Sequence, residues 1–290
     1  MKFTPRRPQT NVNVSQTHPL KDFGLLAGGL LGAVVVIYLV LGLILDVVIP
    51  RLSPEFEQQL AAAIGPRFTD CDDSSDVQRY LQELVDQLQA QHPDAIPYRV
   101  KVSVVSAKEI NAAALPGGQM VVFSGLLEKM ESESEIAFVL AHELGHYANR
   151  DHLRGIGRGL VFVCLSTVLL GPDNSISNMI GHGVMLTELS FSRKQESAAD
   201  AFALDAVARL YQDAAGATDF FTKIKNSSDT RLFGPYFSSH PDNQRRIDQL
   251  NALIAQHRYP VGTPRPLRMC LVAAESPCPE NPVAEPPKSR

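Results

Sequence analysis

The sequence lacks an excess of basic residues, and it lacks internal repeats. Lys and Arg total 27 against 31 Asp and Glu, which gives a formal net charge of -4 and an isoelectric point near 6.1. A chain with this balance has no general basic surface, so we expect no nucleic acid partner. Its 290 residues, of which 44% are hydrophobic, provide material for one sizeable core with appendages.

Cysteine is scarce, with only four in the chain. Cys71, Cys270 and Cys278 lie in polar contexts, where an oxidising compartment could pair two of them, and Cys270 with Cys278 is one such pair. Cys164 lies in an apolar run and is predicted to be a buried thiol. The spacing does not determine the connectivity.

Charge is absent from one long segment, residues 23–45, which reads FGLLAGGLLGAVVVIYLVLGLIL. About 20 apolar residues suffice to span a bilayer as a helix, so this run predicts an uncleaved signal anchor in contact with lipid. Only Arg51 follows the run closely, whereas four positive residues precede it: Lys2, Arg6, Arg7 and Lys21. This asymmetry predicts a single-pass membrane protein with residues 1–22 in the cytoplasm and the bulk of the chain outside it.

Two helices are predicted between the anchor and the main domain, in a linker region of residues 46–97. Ser53 is a plausible N-cap before Pro54, and Gly65 is a plausible stop. From Val77 to Leu88 apolar residues recur at helical spacing, which predicts a second helix with one face towards a core.

The main domain, residues 98–259, is predicted to be mostly helical with a small β element, an α+β fold. The β content is confined to residues 98–123, where two strands are joined through Pro116, Gly117 and Gly118. Ser132 and Glu135 form a predicted capping box before the next helix. Further helices are predicted at 195–213, 218–226 and 240–257, and residues 260–290 read as a proline-rich flexible tail.

A second apolar run, from Leu160 to Leu170, is too short to span a membrane. We expect it to form a helix inside the fold, and contact with the membrane surface is the alternative.

The motif HELGH contains the candidate metal ligands and the candidate general base. His142 and His146 stand four residues apart on a predicted helix, so both imidazoles can reach one metal ion. Glu143 would lie near the open side of that metal and could act as general base towards a water attacking a carbonyl carbon. The motif is short, but the strongly apolar face beside both histidines strengthens the interpretation, since a metal gives buried polar groups partners.

A third protein ligand is required, and the residues alone offer two. His152 gives the spacing HExxHxxNxxH of the metzincins, with Asn149 where that class uses glycine. A metzincin would also need a methionine-bearing turn, and neither Met179 nor Met185 lies in a recognisable one. The second possibility is Glu196 in the segment ESAAD.

Four ordered motifs, namely NAAALPGG, HELGH, ESAAD and the His240-Pro241 pair followed by Arg246, make the sequence similar to a known family. It resembles the membrane-associated zinc endopeptidases that include the CAAX prenyl protease, the bacterial protease HtpX and periplasmic quality-control proteases. The resemblance implies a zincin-like domain with one zinc ion per chain, held by His142, His146 and Glu196. It also implies that the Asp200 carboxylate accepts a hydrogen bond from the outer nitrogen of a ligand histidine.

The same resemblance implies further site residues. His240 and Arg246 would stabilise the oxyanion of the tetrahedral intermediate. Asn111 and the adjoining strand edge, with Gly118 and Met120, would hold an extended peptide substrate by strand addition.

The expected function is therefore that of a membrane-anchored zinc endopeptidase that cleaves unfolded or damaged envelope proteins. A catalytically inactive chaperone or scaffold on the same fold is one alternative, although every residue that the chemistry needs is present. A metzincin-type protease with His152 as third ligand is the other. The sequence carries no signal for an oligomeric state.

Overall fold

The computed structural model describes residues 18–64, 76–171, 191–226, 236, 240 and 243–268. It is mostly helical with one small sheet, which confirms the predicted α+β class. The chain begins with helix α1 (Pro19–Val48), which continues through a 3-10 turn (Ile49–Arg51) to α2 (Pro54–Ile64). Ser53 caps α2 as predicted, because the Phe56 amide donates to its hydroxyl over 3.2 Å.

Helix α6 (Asp151–Leu170) packs along α1. The contact is close at Gly157, where a Cβ atom would lie 3.1 Å from a methyl group of Leu45. The partly buried residues of α1 recur at helical spacing: Val34, Tyr38, Leu41, Gly42, Leu45 and Asp46. Ile49 in the following 3-10 turn is buried. By length and composition, both Pro19–Arg51 and Asp151–Leu170 could cross a membrane.

This packing corrects two sequence-based predictions. The run Leu160–Leu170 does not lie inside the fold, because it forms the end of α6, and several of its large apolar side chains are exposed, such as Val168 at 83% and Leu170 at 68%. Cys164 is therefore an exposed thiol and not a buried one. The error arose because an apolar run by itself does not show what covers it.

The sheet contains β1 (Lys101–Val105), β2 (Ala112–Leu115) and β3 (Gln119–Phe123) in the order β1-β3-β2. β3 runs parallel to β1 and antiparallel to β2. The tight β2–β3 connection matches the prediction. Gly117 and Gly118 have φ angles of +77° and +75°, a conformation that side chains disfavour.

One hydrophobic core joins the sheet to α3 (Asp76–Gln89), α5 (Glu133–Ala148) and α7 (Arg193–Tyr211), with the short α4 (Ser124–Leu127) at the end of β3. The predicted apolar face of α3 is buried, with Leu81, Val85 and Leu88 at 0% exposure. α5 and α7 meet closely where Gly145 faces Ala199. A Cβ atom on Gly145 would lie 2.8 Å from the Ala199 Cα, so only glycine fits.

The start of α5 differs in detail from the predicted capping box. Ser132 caps the helix, since the Glu135 amide donates to its hydroxyl over 3.1 Å. The Glu135 carboxylate, however, accepts from the amide of Glu131 over 2.7 Å and pairs with Lys223. The side chain thus joins α5 to α8 (Asp219–Asn226) as well as to the preceding turn.

The described part of the chain ends with α9 (Asn243–His257), which lies within the predicted helix 240–257, and a segment that packs back on the fold. Residues 260–268 belong to the predicted flexible tail, yet the Glu133 amide donates to the Arg265 carbonyl over 2.8 Å, and the Arg265 guanidinium lies 4.3 Å from the Tyr211 ring centre. Cys71, Met179, Met185 and the possible Cys270–Cys278 disulfide lie outside the described residues.

Candidate metal centre

Helix α5 carries the HELGH motif deep inside the fold. His142 and His146 are exposed by 1% and 0%, and their Nε2 atoms lie 3.1 Å apart. This proximity follows from the four-residue spacing, which stacks side chains one turn apart on the same helix face. Two histidines that share one small volume form the beginning of a metal site.

Helix α7 brings Glu196 to the same place. A capping box of Ser192 and Gln195 starts α7, so Glu196 lies in its first turn. Its carboxylate oxygens lie 3.5 Å from His146 Nε2 and 3.6 Å from His142 Nε2. His240 completes the group, and one potential ligand atom from each of the four residues lies within 4.8 Å of the others. Imidazole and carboxylate donors in this number fit zinc, which prefers four ligands.

The outer nitrogens of both α5 histidines face carboxylates. His142 Nδ1 lies 3.0 Å from Oδ1 of Asp200, and His146 Nδ1 lies 3.1 Å from Oδ2 of Asp151. Such contacts fix the ring orientation and leave Nε2 free to face a metal. The Asp200 contact has the geometry that the resemblance implied, whereas sequence reasoning missed Asp151.

Arg246 is 2% exposed and engages two carboxylates. Its Nε and Nη2 lie 2.8 and 2.6 Å from the two Asp200 oxygens, and its Nη1 lies 2.7 Å from Glu196 Oε2. The guanidinium also lies 4.2 Å from the Phe221 ring centre. Arg246 therefore connects α9 to both acidic residues of the ESAAD segment.

Glu143 is 0% exposed, and neither of its carboxylate oxygens accepts a hydrogen bond from the residues that the structure describes. His240 Nε2 lies 3.6 Å from Glu143 Oε1. Burial raises the pKa of Glu143, because the charged form loses its hydration. A buried carboxylate with free acceptor atoms beside the histidine cluster fits the predicted general base.

The two α5 histidines have opposite pKa shifts. Burial and the nearby Arg246 charge lower the pKa of His142 to about 3. Burial alone would also lower the pKa of His146, but hydrogen bonds to Asp151 and Glu196 raise it to about 10. The carboxylates around His146 thus stabilise a positive charge at the centre of the cluster, as they would stabilise a bound cation.

His152 lies outside the cluster. Its Nε2 is 2.8 Å from Glu57 Oε1, and the Tyr98 hydroxyl and the Gly117 amide donate to the same oxygen over 2.7 and 3.2 Å. The chain turns between α5 and α6 at Arg150, which has a φ of +54°, and not at Asn149. The buried His152 therefore joins α6 to α2.

The predicted substrate residues lie along the sheet. Asn111 is 4% exposed, and its side chain accepts from the Ala112 amide over 3.0 Å. Gly118 packs under the Tyr98 ring, and the Met120 side chain is 0% exposed in the core. Because β3 pairs with strands on both sides, Met120 offers no edge for a peptide. Among the described residues β1 and β2 each pair with β3 alone, so both are edge strands, and β2 is the one that follows Asn111.

Sequence reasoning missed three residues around the site: Asp151, Glu57 and Phe191, whose ring stacks on His146 with centres 3.9 Å apart. Asp151 had a local signal, because it is an acidic residue directly after the HELGH helix. Glu57 had none, since its partner lies 95 residues further along the chain.

Comparison with known proteins agrees with this geometry. The family model described as peptidase family M48 matches residues 72–254. Mitochondrial metalloendopeptidase OMA1 of Arabidopsis thaliana is 36% identical over 151 residues, which are 50% of this chain and 30% of the relative.

Two further relatives support the same assignment. Metalloendopeptidase OMA1 of Danio rerio is 27% identical over 70% of this chain and 44% of its own length. Metalloprotease LoiP of Escherichia coli K12 is 29% identical over 52% of this chain and 61% of its own length. The chain thus spans less than two thirds of each of these relatives. The match to the family model covers more than half of the chain, and the family resemblance drawn from the sequence is confirmed: this protein belongs to peptidase family M48.

Proposed function

We propose that this protein is a membrane-anchored, zinc-dependent endopeptidase. The observation that carries the proposal is the buried cluster of His142, His146 and Glu196. The Glu143 carboxylate lies beside it and accepts no hydrogen bond from the described residues. These three residues would hold one zinc ion and leave a coordination position open, as catalytic zinc sites do. A closed set of four protein ligands is typical of structural sites, so we assign His240 a different role.

When bound, zinc would supply the Lewis acidity that lowers the pKa of water towards neutrality. Glu143 would accept the proton of the attacking water and pass it to the leaving amine. Its burial and raised pKa support this role, because a general base works best when its pKa approaches the operating pH. Asp200 and Asp151 would hold the two ligand imidazoles in place.

Of the two oxyanion donors expected from the sequence, His240 and Arg246, His240 is the better supported. Its Nε2 lies 3.6 Å from the proposed base Glu143, so the ring borders the space where a carbonyl would react. Arg246 is instead engaged by Asp200 and Glu196. We therefore assign Arg246 the positioning of these two carboxylates.

The substrate would bind as an extended chain along β2. The Phe123 amide donates to the Asn111 carbonyl over 3.1 Å, and hydrogen-bonded and non-hydrogen-bonded pairs alternate in antiparallel sheets. Ala112 and Ala114 therefore direct backbone groups to the side of β2 away from β3. The Ala112 amide there donates to the Asn111 side chain, which a peptide would have to displace. Recognition through backbone groups has little sequence preference, which suits unfolded or damaged proteins as substrates.

We place the active site outside the cytoplasm and propose a role in envelope protein quality control. The support for this placement is the excess of positive charge before α1. The names of the relatives, a mitochondrial metalloendopeptidase and a metalloprotease, agree with proteolysis.

The test is cleavage of an unfolded protein, such as casein, by the detergent-solubilised full chain. We expect internal fragments, loss of cleavage after chelation, and recovery with one equivalent of zinc. Retained binding of casein without cleavage at any zinc concentration would contradict the proposal and favour an inactive scaffold.

A further inference from the structure

A cavity of about 370 Å³ lies between the anchor and the metal centre. Its lining includes Asp46 from α1, three residues from α6 and two from the start of α7: Asp151, Arg154, Arg158, Lys194 and Gln195. The cavity is thus formed where the two apolar helices meet the catalytic domain.

The charges of this cavity favour an anion. Three cationic side chains, those of Arg154, Arg158 and Lys194, face two carboxylates. Both carboxylates already have partners. Asp46 accepts from Arg158 over 2.9 Å and lies 3.5 Å from Arg154. Asp151 lies 3.3 Å from Arg154, contacts His146 and accepts from Gln195 Nε2 over 2.8 Å.

Lys194 is exposed and pairs with no carboxylate in the part of the chain that the structure describes. The cavity therefore retains uncompensated positive charge, and guanidinium groups are suited to binding phosphate oxygens.

The position of the cavity indicates the source of the anion. Arg158 precedes the apolar end of α6, Leu160–Leu170, by two residues, and Asp46 follows the apolar run of α1 directly. Basic side chains at the ends of apolar helices lie at the level of lipid headgroups when such helices enter a bilayer.

We propose that this cavity binds the phosphate headgroup of an anionic phospholipid. The lipid tails would lie along the exposed faces of α1 and α6. The inference rests on the proposed membrane placement of these helices but not on catalysis. The bound headgroup would contact Arg154, which lies 3.3 Å from Asp151. Asp151 in turn orients the proposed metal ligand His146.

The test uses the full chain with Glu143→Gln, which removes proteolysis, in neutral maltoside detergent. Binding of tail-labelled phosphatidylglycerol is measured by fluorescence anisotropy, with unlabelled phosphatidylglycerol, phosphatidylcholine or inorganic phosphate as competitors. The cavity variant is Arg158→Gln with Lys194→Gln. The matched control, Arg79→Gln with Lys101→Gln, removes two exposed charges that do not line the cavity.

We expect phosphatidylglycerol to compete and phosphatidylcholine not to compete. The affinity should fall about fivefold for each cavity charge removed and about twenty-fivefold for both, while the control binds like the parent. If the double variant does not fold, Lys194→Gln alone provides the test, because this exposed side chain has no ion-pair partner among the described residues.

Three results would overturn the inference. The first is equal competition by the two phospholipids, and the second is unchanged affinity in both Lys194→Gln and the double variant. The third is saturable binding of inorganic phosphate that displaces the lipid, which would identify a free-phosphate site. None of them bears on the proposed proteolysis.

Discussion

His152 of α6 contacts Glu57 of α2, with 2.8 Å between Nε2 and Oε1, and both side chains are 0% exposed. The histidine that has metzincin spacing in the sequence therefore pairs with a carboxylate outside the metal cluster. This pair joins the segment after the anchor to the helix that follows HELGH.

We predict that His152→Ala lowers stability but keeps zinc. The substitution removes the His152 ring from the buried Glu57 carboxylate, which costs about 1–3 kcal/mol. The carboxylate keeps its hydrogen bonds from Tyr98 and Gly117, which limits the loss. Zinc content by elemental analysis should stay near one per chain, whereas Glu196→Ala should lose the metal. Full zinc in Glu196→Ala together with loss in His152→Ala would show that the metzincin spacing is correct.

A second prediction concerns Asp200. Asp200→Asn keeps the shape of the side chain but removes the charge that faces His142 and Arg246, so zinc affinity or activity should fall about 10- to 100-fold in a folded protein. Asp205→Asn is the control on the same helix, since Asp205 contacts Arg209 and Tyr259 instead. Equal impairment by both substitutions, or no effect of Asp200→Asn, would exclude this role.

A third prediction distinguishes the roles of His240. His240→Gln should retain zinc, because three protein ligands remain, and should reduce the rate of hydrolysis about 100-fold or more through loss of an oxyanion donor. Zinc content and casein hydrolysis are measured on the same preparation. Loss of zinc would instead identify His240 as a fourth ligand.

Sequence patterns predicted the parts of this molecule that depend on local spacing. The two histidines of HELGH share one helix face, as expected. Ser53 and Ser132 cap their helices, and the Gly117-Gly118 turn joins two strands, also as expected. These features arise from backbone geometry within a few residues, so a short window of sequence contains them.

The missed features depend on contacts between distant segments. The Glu57–His152 pair, the packing of α6 on α1 and the return of Arg265 to the start of α5 each join residues far apart in the chain. An apolar run such as Leu160–Leu170 indicates that its surface must be covered, but it does not show whether protein or lipid covers it. The third ligand was likewise assigned by family resemblance and not by spacing.

The membrane arrangement leads to a fourth prediction. In a chain with Cys71, Cys270 and Cys278 changed to Ser, the exposed Cys164 of α6 should resist a membrane-impermeant maleimide until detergent is added, because lipid would cover it. Gln87→Cys, at an exposed position of α3 in the same background, should react in right-side-out vesicles. Labelling of Gln87→Cys only after lysis would place the catalytic domain in the cytoplasm.

The central claim is that zinc binding and catalysis depend on different residues of one cluster, and Glu143→Gln tests it most directly. The Glu143 carboxylate accepts no hydrogen bond from the described residues and is not one of the proposed ligands, so this variant should bind one zinc per chain like the parent. Removal of the general base should reduce casein hydrolysis by about 100-fold or more. Parallel measurement of zinc content and hydrolysis should thus show full zinc with almost no cleavage. Cleavage at the parental rate by zinc-loaded Glu143→Gln would contradict the account.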